Sequence, residues 1–355
     1  MKILISGGAG FIGSAVCRSA IGAGHSVLTF DKLTYAGRIA ALAEVLDSPL
    51  HRFQKADITD MEAVASAFKE FNPDVVLHLA AESHVDRSID EPGVFVSTNV
   101  VGTFVLLEAA TSYWLRLSAE KRDQFRFIHV STDEVFGTLQ ESGTFTIDSR
   151  YAPNSPYAAS KAAGDHLARA WHHTYGLPVV ITNCSNNYGP WQHSEKLIPT
   201  VIRHALGGAP IPLYGDGTNR RDWLYVDDHV KAIFAAIHYG RPGATYLFGG
   251  RCEVSNLDLT KMICSLLDER RPRADGKPYC QQVTFVSDRP GHDFRYAIDP
   301  SFAERELQWR PQEQLSGGLA RTVDWYLANP ASLAPVDELG RLGVRRSSEL
   351  ARAAP

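Results

Sequence analysis

A doubly wound α/β fold, with a parallel sheet covered by helices on both faces and a smaller α+β region beside it, is what this sequence predicts. Three observations carry the prediction. Short runs rich in Ile, Val, Phe and Leu alternate with helix-length segments through the first half, a glycine-rich turn joins the first run to the first helix, and after about residue 184 turn residues multiply while the runs shorten. Strands separated by helices require right-handed crossovers and therefore a parallel sheet buried on both sides.

In chain order, Lys2–Ser6, Ser26–Phe30, Val75–Leu79, Arg126–Ser131 and Pro178–Thr182 read as buried strands, each short and apolar. Phe11–Ala23, Ile39–Leu46, Met61–Phe71, Asn99–Arg116 and Ser155–Tyr175 read as the intervening helices. Asp60 is placed to cap the helix at Met61, with Glu62 in its first turn, and Asn72-Pro73 closes it. In the second region the turns Asn186-Asn187, Gly189-Pro190, Gly207-Gly208 and Gly215-Asp216-Gly217 separate short strands, and helices read at Asp228–Ile237, Asn256–Asp268 and Gly317–Ala328. The expected division is residues 1–183 for a cofactor, with part of 222–250 as a candidate to rejoin that unit. Residues 184–330 are expected to hold a substrate, and 331–355 to form a loosely structured tail.

The 355 residues are 44% hydrophobic and 21% charged, enough for a sizeable core and unlike a disordered chain. Lys+Arg 36 against Asp+Glu 40 leaves −4, so no basic field exists to attract nucleic acid or an anionic membrane. Cys17, Cys184, Cys252, Cys264 and Cys280 are scattered and form no C-x-x-C pair, which reads as reduced thiols with no disulfide framework and no metal site. Apolar runs such as Val75–Ala81 fall short of the ~20 residues of a membrane span. The opening Met1–Ile5 run breaks into Gly7-Gly8-Ala9-Gly10 instead of continuing as a signal peptide. A soluble, cytoplasmic protein is expected.

Gly7-Gly8-Ala9-Gly10-Phe11-Ile12-Gly13 follows the first strand and opens the first helix. Gly7 suits the tight turn, Gly10 lets backbone approach a pyrophosphate, and Gly13 lets helix and strand pack closely, while the helix N-terminus offers N–H donors. Asp31, at the end of the second strand, can accept both ribose hydroxyls and repels a 2′-phosphate, so the expected cofactor is NAD and the fold Rossmann-type. Asp57-Ile58, after the third strand, sits where an adenine edge would be read.

Tyr157-x-x-x-Lys161 places both side chains on one helix face. An ammonium beside the phenol is expected to pull its pKa down from about 10 toward that of a useful base. Thr132, at a strand end, can hydrogen-bond the same substrate oxygen, so that a carbinol loses its proton while its hydride goes to a nicotinamide. Asp133 and Glu134 follow at once. Ligands of such sheets bind off the strand carboxyl ends. Two carboxyl groups there can serve as acid and base once their environments separate their pKa values, which allows elimination as well as oxidation.

These segments together resemble the dTDP-glucose 4,6-dehydratase family of extended short-chain dehydrogenases. The resemblance runs through Asp31–Gly37, the E-S-H-V-D-R-S run Glu82–Ser88, Ser131–Gly137, Tyr157–Lys161, Asn183–Pro190, Glu195–Pro199, Arg221–His229 and the D-R-P-G-H-D run Asp288–Asp293, spanning residues 1 to about 328. It implies conversion of dTDP-glucose to dTDP-4-dehydro-6-deoxyglucose in deoxysugar biosynthesis, with NAD tightly bound and regenerated each turnover. Tyr157 would take the C4 hydroxyl proton, Glu134 the C5 proton, and a protonated Asp133 would donate to the departing C6 hydroxyl; the residues themselves leave open which carboxyl group plays which role. Further cofactor contacts implied are Phe11, Ile12, Lys32, Thr34, Ala80, Ala81, Ser83 and Asn99. For the nucleotide sugar the resemblance implies Ser83, His84 and Thr132 near the sugar and Asn187, Lys196 and Leu197 on the diphosphate side. Pro212 and Tyr214 would meet the base, and Arg221, Asn256, Arg289 and His292 would grip phosphate and sugar. It also implies a homodimer through the Asn99–Arg116 and Ser155–Tyr175 helices. Phe136 departs from the Tyr usual after E-V. A 4-epimerase, a 4,6-dehydratase of another nucleotide sugar and a non-catalytic NAD-binding sensor remain alternatives, the first weakened by the Asp133-Glu134 pair.

Overall fold

The computed structural model describes residues 1–334. Its strands are β1 (Lys2–Ser6), β2 (Ser26–Asp31), β3 (His51–Lys55), β4 (Val75–His78), β5 (Arg126–Thr132) and β6 (Val179–Cys184), followed by β7 (Asn186–Tyr188), β8 (Ile211–Tyr214), β9 (Arg220–Tyr225), β10 (Thr245–Phe248), β11 (Glu253–Ser255) and β12 (Val283–Val286). Seven form one sheet in the order β10-β6-β5-β4-β1-β2-β3, parallel at every pairing. Sequence order reverses between β1 and β4, which opens a crevice at their carboxyl ends. A three-stranded sheet, β11-β9-β7, and the pair β12-β8 lie outside it.

The helices are α1 (Phe11–Gly22), α2 (Met61–Phe71), α3 (Val85–Asp90), α4 (Pro92–Phe95), α5 (Thr103–Trp114), α6 (Ala119–Gln124) and α7 (Pro156–Tyr175), then α8 (Leu197–Leu206), α9 (Val226–Tyr239), α10 (Asn256–Arg270), α11 (Ser301–Leu307) and α12 (Leu315–Ala328). On one sheet face α1, α9 and α11 bury Val16, Val230, Ile233 and Leu307 against Ile3, Ile5 and Leu77. On the other, α2, α5 and α7 bury Phe68, Leu106 and Ala168 against Leu4, Val76 and Phe127. A separate core of Ile198, Leu259, Leu319 and Val323 joins α8, α10 and α12. Asp60 caps α2 as expected, its Oδ1 accepting from the N–H groups of Glu62 and Ala63 at 3.0 Å each, and Asn72 closes it in the left-handed region at φ 53°.

Four local expectations need correction. Ile39–Leu46 forms only a 3₁₀ turn over Ile39–Leu42, because buried residues there are confined to Ala41, Leu42 and Val45. The edge strand β3 (HRFQK) adds a strand the apolar-run criterion misses, since only His51 in it is buried. The helix expected from Asn99 starts earlier: Pro92–Trp114 is helical throughout, with a π segment over Val96–Gly102. At 23 residues and mean hydropathy 1.5, that stretch is long and apolar enough to cross a membrane by length and composition, contrary to the expectation that no run approaches this length. Half of its most apolar window is buried, and α5 packs on α2 and α7, which is how a core helix of a sheet layer behaves. The tail reading falls mainly outside the described residues; Pro330–Leu333 is a 3₁₀ turn.

Candidate active site

The crevice off β1, β4 and β5 is a cavity of about 290 Å³. Gly7, Gly10, Phe11, Ile12, Asp31, Lys32, Thr34, Asp57, Ile58, Ala80, Ala81 and Ser83 all line it, as do Thr132, Asp133, Glu134, Tyr157, Lys161, Asn187 and Lys196. Gly7 has φ +73°, and a Cβ there would stand 2.6 Å from the Ala80 amide nitrogen. A Cβ on Gly13 would meet the Gly7 carbonyl oxygen at 2.1 Å, so its expected role in close packing is met without lining the cavity. The first turn of α1 has neither a side-chain cap nor an acidic residue. Its free N–H groups and dipole therefore suit a pyrophosphate.

At the far end Asp31 is buried, with Oδ2 accepting from the Ala9 N–H at 2.9 Å and Oδ1 from the Leu33 N–H at 2.8 Å. Burial raises its pKa, with those two N–H groups opposing. Lys32 pairs with Asp57 at 2.6 Å, fixing the two residues expected around the adenosine. This donor and acceptor set fits NAD. Asn99 does not line the cavity. Its side chain accepts from the Glu82 N–H at 2.9 Å and donates to the Glu82 carbonyl and the Ser160 hydroxyl, so it braces the segment that does.

Thr132 ends β5, and its hydroxyl accepts from the Glu134 N–H at 3.3 Å, starting the 3₁₀ turn Asp133–Phe136 that turns both carboxyl groups at the cavity. Asp133 is 2% exposed. Its Oδ1 accepts from Thr132 Oγ1 at 3.3 Å, and its Oδ2 is buried with no partner among the described residues. Burial, then Glu134 and Asp222, push its pKa well above the carboxylate range, against Arg221 and the Thr132 hydroxyl. Glu134 is also raised by burial, but Arg289, Lys196 and Arg221 all favour its charge. Burial thus raises both carboxyl groups, and more cations act against the rise at Glu134 than at Asp133.

Tyr157 and Lys161 sit on one face of α7, capped by Ser155. The expected lowering of the phenol is not found. Burial, followed by Glu134 and Cys184, raises Tyr157 well above its usual value, with Thr132 opposing. Lys161 instead donates to the Val130 carbonyl at 2.8 Å. Burial lowers the pKa of that ammonium, and Asp165 acts against the lowering. Sequence reasoning missed Asp165, although it lies at the next helical repeat after Tyr157 and Lys161. Its carboxylate accepts from Tyr151 at 2.7 Å and Asn183 at 3.1 Å and pairs with His129 at 3.0 Å, while Asn183 also donates to the Thr132 carbonyl at 3.0 Å. Also missed was Glu195, which pairs with Arg87 at 2.8 Å and approaches His84 at 3.5 Å. Phe136 stacks on Phe145 at 5.1 Å within a buried cluster behind the site, so the departure from Tyr is filled by core packing.

Of the nucleotide-side residues, Lys196 and Asn187 reach the cavity and the others lie outside its lining. Lys196 donates to the Ser83 carbonyl at 2.9 Å, which joins the two expected substrate segments. Arg221 spends its guanidinium on the carbonyls of Arg220, Phe294 and Asp293 at 2.8–3.1 Å and lies 4.4 Å over the Tyr296 ring, so here it braces the 293–296 segment. Arg289 and Tyr214 both reach Asp86, at 2.9 and 3.0 Å, and His292 bonds Asp288 at 2.6 Å. Pro212 lies in β8 opposite Thr284, while Leu197 and Asn256 open α8 and α10.

Known proteins are similar to this chain over most of its length. A family model described as GDP-mannose 4,6 dehydratase matches residues 4–322. A dTDP-glucose 4,6-dehydratase of Xanthomonas campestris pv. campestris (strain B100) is 56% identical over 326 residues, 92% of this chain and 93% of its own. The dTDP-glucose 4,6-dehydratase 1 of Escherichia coli (strain K12) is 54% identical over 339 residues, 93% of each chain. The chain belongs to the dTDP-glucose 4,6-dehydratase family. Among solved structures, the dTDP-glucose 4,6-dehydratase DesIV of Streptomyces venezuelae, with NAD bound, superposes at TM-score 0.85 and 45% identity, covering 93% of this chain and 98% of its own. A UDP-glucose 4-epimerase of Thermus thermophilus in complex with NAD reaches 0.80 at 28% identity, covering 92% and 99%. Fold is thus shared with the epimerases, and sequence is shared with the dehydratases.

The buried proton has a stability consequence. The folded chain binds it more tightly than the unfolded chain, so stability declines by about 1.4 kcal/mol per pH unit as pH climbs from the ordinary carboxylate range toward the raised value of Asp133. Asp133→Asn keeps the shape and removes that decline. Its unfolding temperature is expected to exceed that of the parent at about pH 8 and to differ little at about pH 4, measured by thermal unfolding at matched NAD content. Equal destabilisation at both pH values would contradict the protonated assignment.

Proposed function

We propose that this chain converts dTDP-glucose to dTDP-4-dehydro-6-deoxyglucose, a hydro-lyase reaction of deoxysugar biosynthesis. The observation that carries the reading is the buried, unpartnered Oδ2 of Asp133 in the same cavity as Thr132, Glu134, Tyr157 and Lys161. An epimerase has no use for a second proton donor there. The names of the relatives at 54–56% identity support dTDP-glucose as the substrate.

NAD, when bound in the α1 cradle, supplies the acceptor for the C4 hydride and its donor to C6. Tyr157 takes the C4 hydroxyl proton, and Thr132 holds that oxygen in place. Lys161, on the same face of α7 and held by the Val130 carbonyl at 2.8 Å, lines the cavity beside them, while the Thr132 hydroxyl is what opposes the burial and the carboxyl groups that raise the phenol. The resulting 4-ketone acidifies C5, and Glu134, kept charged by Arg289, Lys196 and Arg221, removes that proton. Asp133 gives its proton to the C6 hydroxyl, which leaves as water. As C6 receives the hydride, Glu134 returns its proton to C5, and the cycle closes when the proton held by Tyr157 passes to solvent and Asp133 is reprotonated. Residues 1–183 serve the cofactor and 184–330 the nucleotide sugar in this reading, with Lys196 and Arg289 on the diphosphate. Reduced cysteines and a nucleotide-sugar substrate support a cytoplasmic setting.

A homodimer is part of the proposal. α5 and α7 lie side by side. The helical stretch that ends in α5 leaves Val96 52% and Phe104 40% exposed, with Val94 and Val101 beside them. That apolar surface suits a second copy of the chain.

With dTDP-glucose and no added NAD, Tyr157→Phe should fail to form any 4-keto sugar. Asp133→Asn with Glu134→Gln should accumulate an unreleased 4-keto-glucose nucleotide, with 6-deoxy product formed ~10²–10⁴-fold more slowly, as read by alkali-induced absorbance and mass spectrometry. Product release at the parental rate by the double variant would refute the assignment. In light scattering at micromolar concentration the chain should have the mass of a dimer, and Phe104→Asp should shift it toward monomer; a parental monomer would refute that part.

A further inference from the structure

Asp86 lies in the first turn of α3 and is the meeting point of three segments far apart in sequence. Its Oδ1 accepts from Arg289 Nη1 at 2.9 Å, across 203 residues, and its Oδ2 accepts from the Tyr214 hydroxyl at 3.0 Å, across 128 residues. Both side chains of the ion pair are mostly buried, at 20% and 22% exposure. The Arg289 Nε is buried and has no partner among the described residues, and its backbone N–H is held by the Asp288 side chain at 2.8 Å. Nη1 is therefore taken by Asp86, while Nε, on the edge it shares with Nη2, has no partner among the described residues. That edge is the two-donor fork that matches two oxygens of a phosphate.

We propose that Asp86 is a positioning residue for nucleotide-sugar binding: by a one-point contact it pins Arg289 with the two-donor edge open to the substrate diphosphate, and by its other oxygen it ties that arginine to Tyr214. The inference rests on Arg289 being a diphosphate contact, as in the preceding subsection. A mobile arginine would lose rotamer freedom on every binding event, so holding it in advance lowers the cost of recognition. Burial alone would raise the Asp86 carboxyl, yet Arg289, His84 and Tyr214 bring it below its ordinary value, so it stays an anion able to hold the guanidinium. Such a residue acts mainly on affinity; Lys196 and Arg221 also favour the Glu134 charge, so the chemical steps at the end of β5 depend on Arg289 only in part.

A double-mutant cycle tests this with dTDP as the probe, binding measured by calorimetry on NAD-loaded protein. Asp86→Asn is expected to weaken dTDP about tenfold and to raise KM for dTDP-glucose by a similar factor, with kcat falling less than about twofold. Arg289→Gln should weaken dTDP at least as much. In the Arg289→Gln background, Asp86→Asn should then cost nothing further, because its effect runs through the arginine. Asp86→Glu keeps the charge and should recover part of the affinity; it replaces Asp86→Asn in the cycle if the latter does not fold. Additive losses would overturn the proposal, showing that Asp86 acts independently of Arg289. Tighter dTDP binding in Asp86→Asn would overturn it too, since Asp86 would then be competing with phosphate. If Arg289→Gln leaves dTDP affinity untouched, the diphosphate role of Arg289 itself fails, and the proposal with it.

Discussion

Two adjacent carboxyl groups at one strand end, Asp133 buried and Glu134 half-buried, cannot both carry charge without an electrostatic penalty, and the site is organised around that constraint. The cations are distributed unevenly. Glu134 is favoured as an anion by Arg289, Lys196 and Arg221, whereas Asp133 is disfavoured as an anion by Glu134 and Asp222, with Arg221 as the one cation acting for its charge among the described residues. In the proposed mechanism one proton belongs to the pair and resides on Asp133. That asymmetry makes an acid and a base from two similar side chains, which is what removing water across C5–C6 requires.

The scaffold keeps the pair where it is. Thr132 is simultaneously the end of β5, the cap of the turn carrying both carboxyl groups and the acceptor of the Glu134 N–H. Its carbonyl is held by Asn183 from the neighbouring β6, and Asn183 is held in turn by Asp165 on α7. Asp165 lies one helical repeat beyond Lys161 and opposes the loss of the lysine charge. Strand end and helix face are thus tied through one carboxylate, so the Thr132 and Tyr157–Lys161 groups keep a fixed spacing. The sheet reversal between β1 and β4 places the glycine cradle on the adjacent edge of the same crevice.

What could be read in the sequence was what is local. Glycines around Gly7–Gly13, the acid at the end of β2, and the Tyr157–Lys161 repeat are short-range patterns whose geometry follows from backbone rules, and each lines or shapes the cavity. The strand–helix alternation gave the sheet for the same reason. β3 escaped because an edge strand needs no apolar run, and the early start at Pro92 escaped because Ser97, Thr98 and Asn99 interrupt the apolar pattern. The direction of the Tyr157 shift was misjudged: i,i+4 spacing fixes proximity to Lys161 but is silent on burial and on Glu134 from another element. Arg221 shows the same limit, since nothing local says that carbonyls of residues 293–294 take up its donors.

The central claim is that Asp133 carries a proton at neutral pH, and infrared difference spectroscopy reads that proton directly. Spectra of the NAD-loaded parent and of Asp133→Asn at neutral pH should differ by the C=O stretch of one buried protonated carboxyl group, present in the parent and absent in the variant, with Glu134→Gln leaving that band in place. A parent with no such band, or a band that disappears in Glu134→Gln instead, would contradict the account.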